Sequence, residues 1–265
     1  MIITFSILQV NCLLDQFENT FEKVKKYLDK LPEVEKHLVV LPELWTSGFT
    51  ENLDQADSAN REILSRLKMI ARDKNLLIAG SYIMKDYDGF YNQLVIISPD
   101  NQIATYNKNH LFPQLNEFIN FKQGKKLSIL QIWNTKIGMA ICYDLRFPEM
   151  FRSYAQQNIE ICVLPAQWPQ KRINHFNVLL HARAIENQMI MISSNICGTI
   201  NKTKFGGNSS IIDHLGISQI NLENHESCSS LQINIDTVDK WRKEFPVLEN
   251  IHFQSDKEIE NFYFD

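Results

Sequence analysis

Four side chains have the chemistry and local setting of a hydrolytic site. Cys142 lies in the run Gly138-Met139-Ala140-Ile141-Cys142-Tyr143-Asp144-Leu145-Arg146-Phe147-Pro148. A short apolar strand ends at the cysteine, and Pro148 is a favoured first residue for a following helix. A side chain on such a turn is presented at a sheet edge, where nearby backbone N–H groups can receive an anion. A free thiol titrates near ~8.5, so a nucleophilic cysteine needs a base or a cation beside it. A buried structural cysteine fits the same local context. Glu43 follows the apolar run 38–42 and precedes Leu44 and Trp45; partial desolvation there raises a carboxyl pKa and makes a usable general base. Lys108, in Tyr106-Asn107-Lys108-Asn109-His110-Leu111-Phe112-Pro113, follows a strand, where a fixed ammonium stabilises an oxyanion and favours a thiolate. Glu117, in Asn116-Glu117-Phe118, is a second carboxylate candidate. Taken singly, Glu43 also reads as a loop residue and Lys108 as a solvated cation, and Glu117 alone is a weak signal.

Other chemistries find no support. His175 and His181 are six positions apart, which places them on different faces of a helix and not on one metal. There is no GxSxG turn and no Gly-rich phosphate loop. The five cysteines, Cys12, Cys142, Cys162, Cys197 and Cys228, are odd in number and never form a CxxC pair, so neither a disulfide framework nor a zinc site is implied. A formal charge of −4 over 265 residues gives no footprint for nucleic acid, and pairs such as Lys25-Lys26 are too short for a polybasic membrane anchor. The opening Met1-Ile2-Ile3-Thr4-Phe5-Ser6-Ile7 has no basic region and no cleavage site, and reads as a first strand. No apolar run reaches the ~20 residues of a membrane span. The expected location is the cytosol.

These residues need a scaffold. The apolar content of 44% and charged content of 22% suit a globular core. Apolar periodicity predicts strands over 1–10, 37–41, 76–81, 92–98, 103–106, 136–142, 161–164 and 189–195, and a β-rich stretch over 208–235 that turns at His214-Leu215-Gly216. Helices are predicted over 17–30, 59–74 and 174–187, with another beginning near Pro148. Strands separated by helices imply an α/β fold, a mixed sheet covered by helices. No linker or low-complexity stretch divides the chain, so residues 1–265 read as one domain. The pattern V-L-P-x-x-W occurs at 40–45 and again at 163–168, both times at the end of a buried strand. That echo hints at a two-fold-related, two-layer architecture in which both segments line one site at the carboxyl ends of strands. The tail from about residue 236 carries Trp241, Phe245, Phe253, Phe262 and Phe264, aromatics to be buried on its own body or on a neighbouring subunit.

Together, Glu43 after a strand, Lys108 in K-x-H-L-F and Cys142 in C-Y-D-L-R-F-P resemble the nitrilase superfamily of carbon–nitrogen hydrolases. PELWTSGF at 42–49, Ala79-Gly80-Ser81, HARAIENQ at 181–188 and Gly207-Asn208-Ser209 extend the resemblance over most of the chain. Within the family, C-Y-D-L-R-F-P followed by A-Q-W-P is most similar to the omega-amidase branch, which acts on monoamides of dicarboxylates such as 2-oxoglutaramate. Leu41 and Asn109 are small departures that touch no catalytic position. The resemblance implies a four-layer α-β-β-α sandwich, a homodimer and a small amide substrate, with no metal and no organic cofactor. It implies Cys142 as nucleophile, Glu43 as general base and acid, Lys108 with the Tyr143 backbone N–H around the oxyanion, and Glu117 orienting Lys108 or the amide. Arg146 is the first choice to grip a distal carboxylate, or else pairs with Glu149 or Asp144. Trp168 and Trp45 wall the pocket or belong to the core. An N-carbamoyl amino acid hydrolase, a nitrilase and a deaminated glutathione amidase are the alternatives within the family.

Overall fold

The computed structural model describes residues 1–115, 117–252 and 257–265. In chain order the strands are β1 (Ile2–Gln9), β2 (His37–Val40), β3 (Leu77–Asp86), β4 (Gly89–Ile97), β5 (Ile103–Asn107), β6 (Lys126–Ile132), β7 (Thr135–Met139), β8 (Ile161–Ala166), β9 (Ile190–Asn195), β10 (Thr199–Ile200), β11 (Thr203–Lys204), β12 (Ser210–Ile212), β13 (Ser218–Asn221), β14 (Ser227–Asn234) and β15 (Glu258–Tyr263). The helices are α1 (Phe17–Leu28), α2 (Leu53–Lys74), α3 (Glu117–Asn120), α4 (Pro148–Gln156), α5 (Ile173–Asn187) and α6 (Asp236–Glu244). Among the described residues the strands form a six-stranded sheet ordered β14-β1-β2-β3-β4-β5, a seven-stranded sheet ordered β13-β12-β9-β8-β7-β6-β15, and a small β10–β11 pair.

Alternation along the strands builds the layers. Ile3, Phe5 and Ile7 of β1, with Leu38 and Val40 of β2, point into a core shared with Ile129, Ile137, Met139 and Val163 of the other sheet. The intervening residues Leu8, Val39, Ile78 and Val95 face α1 and α2 instead. That is the period of two expected of sheets covered on both faces. Helix α1 buries Phe17, Phe21, Val24 and Leu28 at helical spacing, with Glu18 in its first turn and Lys25 and Lys26 in its last, charges that suit the helix dipole. On the far side, Phe151 and Tyr154 of α4 and Phe176, Leu180 and Ala184 of α5 cover the second sheet. The fold is therefore the expected α/β sandwich of helix, sheet, sheet and helix. Strands β1, β2 and β3 run parallel, as do β7, β8 and β9. The two V-L-P-x-x-W segments close β2 and β8, the middle strand of each trio.

Several expectations need correction. Helix α2 starts at Leu53, six residues before the expected 59, because Ala56 and Asn60 extend its buried face through a mostly polar turn. The strand expected over 136–142 ends at Met139, so Cys142 sits beyond it, in a short 3₁₀ turn over Cys142–Arg146. Strands β3 and β4 are longer than predicted and join as a hairpin through Asp86 and Gly89. Strands β6 and β15 and helix α6 were not anticipated. In the tail, β15 pairs parallel to β6, Phe262 and Phe264 pack against the chain's own core, and Phe245 is 55% exposed. Phe253 lies outside the described residues.

Candidate active site

The four predicted side chains meet at the carboxyl ends of β2, β5 and β7. Glu43 is 0% exposed, Lys108 and Glu117 are 1% exposed, and Cys142 is 8% exposed. Lys108 Nζ donates to Glu43 Oε1 at 2.7 Å and to Glu117 Oε1 at 2.8 Å. Asn92 Nδ2 also donates to Glu43 Oε1, at 2.8 Å, and the Gln167 backbone N–H reaches Glu43 Oε2 at 2.9 Å. The carboxylate is thus fixed from both sheets. Gln167 Nε2 in turn donates to the Glu43 carbonyl at 2.8 Å, which fastens the two V-L-P-x-x-W segments directly to each other.

Local backbone explains each placement. Cys142 has φ +44° and Leu44 φ +40°, left-handed conformations that a non-glycine residue holds only where its surroundings enforce them. At Cys142 the enforcement comes from Asp144. Its carboxylate accepts from the Ile141 N–H (2.9 Å), the Tyr106 hydroxyl (2.8 Å), the His110 N–H (2.9 Å) and His110 Nδ1 (2.7 Å). Because Tyr106 and His110 flank Lys108, this one buried carboxylate ties the cysteine turn to the lysine loop. Arg183 braces the same turn from α5 by donating from Nε and Nη2 to the Leu145 carbonyl, at 3.1 and 2.9 Å. Lys108 is held by its own N–H to the Asn92 carbonyl (3.0 Å) and by the Gly124 N–H to its carbonyl (2.8 Å). A Cβ at Gly124 would lie 2.0 Å from the Asn107 oxygen, so only glycine permits that approach.

Burial sets the electrostatics. The Cys142 thiol is pushed well above its ordinary value, first by desolvation and then by the Glu43 charge, against the pull of Lys108 and a backbone contact at Gln167. Burial alone would lower Lys108, but the charges of Glu117 and Glu43 outweigh it and hold the ammonium above its ordinary value. Glu117 is pushed up to about 7 by burial, with Lys108 pulling down and the Glu43 charge pushing up. The resting site therefore holds a neutral thiol next to a charged lysine.

A pocket opens on the sulfur, walled by Phe49, Phe112, Tyr143, Trp168 and Pro169, and holding Glu117, Arg146 and Arg172. Its mouth continues into an outer cavity reached by Lys171 and the β10–β11 turn. A carbon–nitrogen hydrolase family model matches residues 6–243. The chain belongs to the carbon–nitrogen hydrolase family. A protein described as a hydrolase in the agr operon of Staphylococcus lugdunensis is 36% identical over 81% of this chain and 94% of its own length. A 2-oxoglutaramate amidase of Bacillus subtilis is 32% identical over 91% of this chain and 96% of its own. The crystal structure of XC1258 from Xanthomonas campestris, a CN-hydrolase superfamily protein with an arsenic adduct in its active site, superposes with a TM-score of 0.91 at 26% identity, covering 96% of this chain and 99% of that one. The protein is thus an amidase-type enzyme that hydrolyses an amide carbon–nitrogen bond.

Within this hydrolase, Tyr143, Arg146 and Trp168 line the same pocket as Cys142. Trp45 does not. It is fully buried against Tyr82, with ring centroids 5.9 Å apart, in the core beneath α1 and α2, because the left-handed Leu44 turns the chain back over β3. Arg146 makes no ion pair with Asp144 or Glu149. Asp144 is spent on Tyr106, His110 and the cysteine turn, while Arg146 Nη2 lies 3.4 Å from His175 Nδ1. Sequence reasoning missed Asn92, Gln167 and Arg172. A signal existed for Gln167, since it sits inside the second V-L-P-x-x-W segment. Asn92 is a polar residue inside strand β4, and Arg172 looks like any cation before a helix. No helix of the described residues is long and apolar enough to cross a membrane.

Proposed function

We propose that this hydrolase is an omega-amidase, releasing ammonia from short monoamides of dicarboxylic acids such as 2-oxoglutaramate, with Cys142 as its nucleophile. The observation that carries the reading is a narrow, aromatic-walled pocket with the sulfur at one end and the Arg146 guanidinium on its wall. A substrate with an amide at one end and a carboxylate at the other matches that polarity. The relatives named 2-oxoglutaramate amidase and omega-amidase point the same way.

The neutral thiol gives its proton to Glu43 as sulfur attacks the amide carbonyl, because a free thiolate is disfavoured in this dry site. The tetrahedral oxyanion forms beside the Lys108 ammonium and the Tyr143 N–H, donors fixed in advance. Glu43 then passes the proton to nitrogen, the C–N bond breaks, and ammonia leaves a thioester on Cys142. Water, deprotonated by Glu43, attacks the thioester. Collapse of the second intermediate frees the acid and returns the proton to sulfur. Glu117 Oε2 is buried with no hydrogen-bond partner among the described residues and lines the pocket, well placed to accept an N–H of the bound amide. The enzyme works in the cytosol as a homodimer. Val178 and Ile185 on the outer face of α5, next to Leu215 and Ile217, form an exposed apolar strip suited to a second copy.

Ammonia release measured with 2-oxoglutaramate, succinamate and butyramide tests the substrate. The acid amides should exceed neutral butyramide by at least about 100-fold in kcat/KM. Equal rates, or a preference for N-carbamoyl amino acids, would sink the omega-amidase reading.

The raised Glu117 adds a pH signature. Its folded value of about 7 exceeds the ordinary carboxyl value, so its contribution to stability is complete at acid pH and is lost as pH rises through about 7. Its contact with Lys108 strengthens over the same interval, so turnover should rise while stability falls. Glu117→Gln should remove that limb of the pH–kcat profile and lower kcat by about 10-fold or more. An unchanged limb in the variant would assign it to another group.

A further inference from the structure

The pocket beside Cys142 carries more positive charge than the protein balances. Arg146 and Arg172 both line it. Among the described residues, every arginine ion pair belongs to Arg61, Arg66, Arg72 or Arg183, so neither pocket guanidinium meets a carboxylate of those residues. Glu117 also lines the pocket, but its Oε1 is held by Lys108.

Both guanidinium groups rest on one strip of aromatic rings. Arg146 Cζ lies 4.8 Å from the Trp168 ring centroid and 6.0 Å from that of Tyr143. Arg172 Cζ lies 5.2 Å from the Phe112 centroid, and the Phe112 and Tyr143 rings are 4.9 Å apart. Trp168 is fastened to both arginines, because its ring carries Arg146 and its Nε1 donates to the Arg172 carbonyl at 2.8 Å. A ring face attracts the charge of a guanidinium without consuming its in-plane N–H donors. Apart from Arg146 Nη2, which reaches His175 Nδ1 at 3.4 Å, those donors have no partner among the described residues and remain for a planar anion. Two like charges lining one pocket also repel one another, and an anion bound between them relieves the repulsion.

We propose that Arg172 is the second half of a two-guanidinium clamp which, with Arg146, closes on the far carboxylate of the substrate. Each arginine takes one face or edge of the same carboxylate while the amide end reaches Cys142. Arg172 is then a binding residue that sets the preference for acid over neutral amides. The inference rests on the omega-amidase reading and adds to it a residue that the sequence did not single out.

The test compares succinamate with butyramide, which replaces the carboxylate by a methyl group, in wild type and in Arg172→Gln. The ratio of kcat/KM values, acid over neutral, should fall by about 10- to 100-fold in the variant, the range for losing a charge-assisted hydrogen bond. Titration with succinate, the product, should show a similar loss of affinity. A ratio that stays at the wild-type value, or a loss shared equally by both amides, would overturn the clamp while leaving the omega-amidase reading intact. A wild-type enzyme with no preference for succinamate would overturn that reading itself, and the clamp with it.

Discussion

Cys142→Ala should lower ammonia release from succinamate by about 10⁵-fold or more, since removing a covalent nucleophile eliminates the whole two-step route and not one contact within it. No other cysteine can take over. None of Cys12, Cys162, Cys197 and Cys228 lines the pocket that holds Cys142. Stability should change little, because the turn is fixed by Asp144 and Arg183 through backbone groups of Ile141 and Leu145, contacts that the substitution leaves in place. Steady-state ammonia assays together with thermal unfolding separate the two effects. Residual activity within tenfold of wild type would exclude Cys142 as the nucleophile.

Lys108→Met should damage both catalysis and folding. Loss of an oxyanion donor costs about 10²- to 10³-fold in kcat. Unlike the cysteine, Lys108 is also the shared counter-ion of two buried carboxylates, Glu43 and Glu117. Its removal leaves them facing each other unneutralised, and breaking a buried pair costs roughly 3 to 5 kcal/mol. That corresponds to a fall in Tm on the order of 10 °C for a chain of this size. The cost should depend on pH. With the ammonium gone, the carboxyl values rise in the folded state, so the variant is least impaired at acid pH and loses further stability as pH climbs through those raised values. A variant that melts like wild type at neutral pH would show that the lysine does not balance the pair.

Much of this site was legible in the sequence, for a physical reason. Strand ends that place catalytic groups carry strong local signals: apolar runs into Pro42 and Cys142, and Pro148 opening the next helix. The repeated V-L-P-x-x-W marked the two strands whose ends meet at Glu43 and Gln167. What was missed depends on packing that no local pattern encodes. Asp144 lies two residues from the nucleophile, yet its role follows only from Tyr106 and His110 approaching it from another strand. Arg172 gains meaning only beside Phe112 and Trp168. Strand β15 reads as polar and half-exposed, with Glu258 and Glu260 alternating with Ile259 and Phe262, and it is a strand because the edge of β6 gives it hydrogen-bond partners. Trp45 takes the core alternative. Its tryptophan twin at 168 does face the pocket, but the positive φ at Leu44 sends Trp45 into the core.

The most direct test of the central claim, that Cys142 carries the acyl group, is peptide mass spectrometry on wild-type enzyme acid-quenched within the first turnovers at saturating succinamate. Acid protonates Glu43 and halts hydrolysis, so a succinyl thioester should be caught on the peptide containing Cys142 and on no other. An unmodified Cys142 while product accumulates, or an adduct on Cys12, Cys162, Cys197 or Cys228, would contradict it.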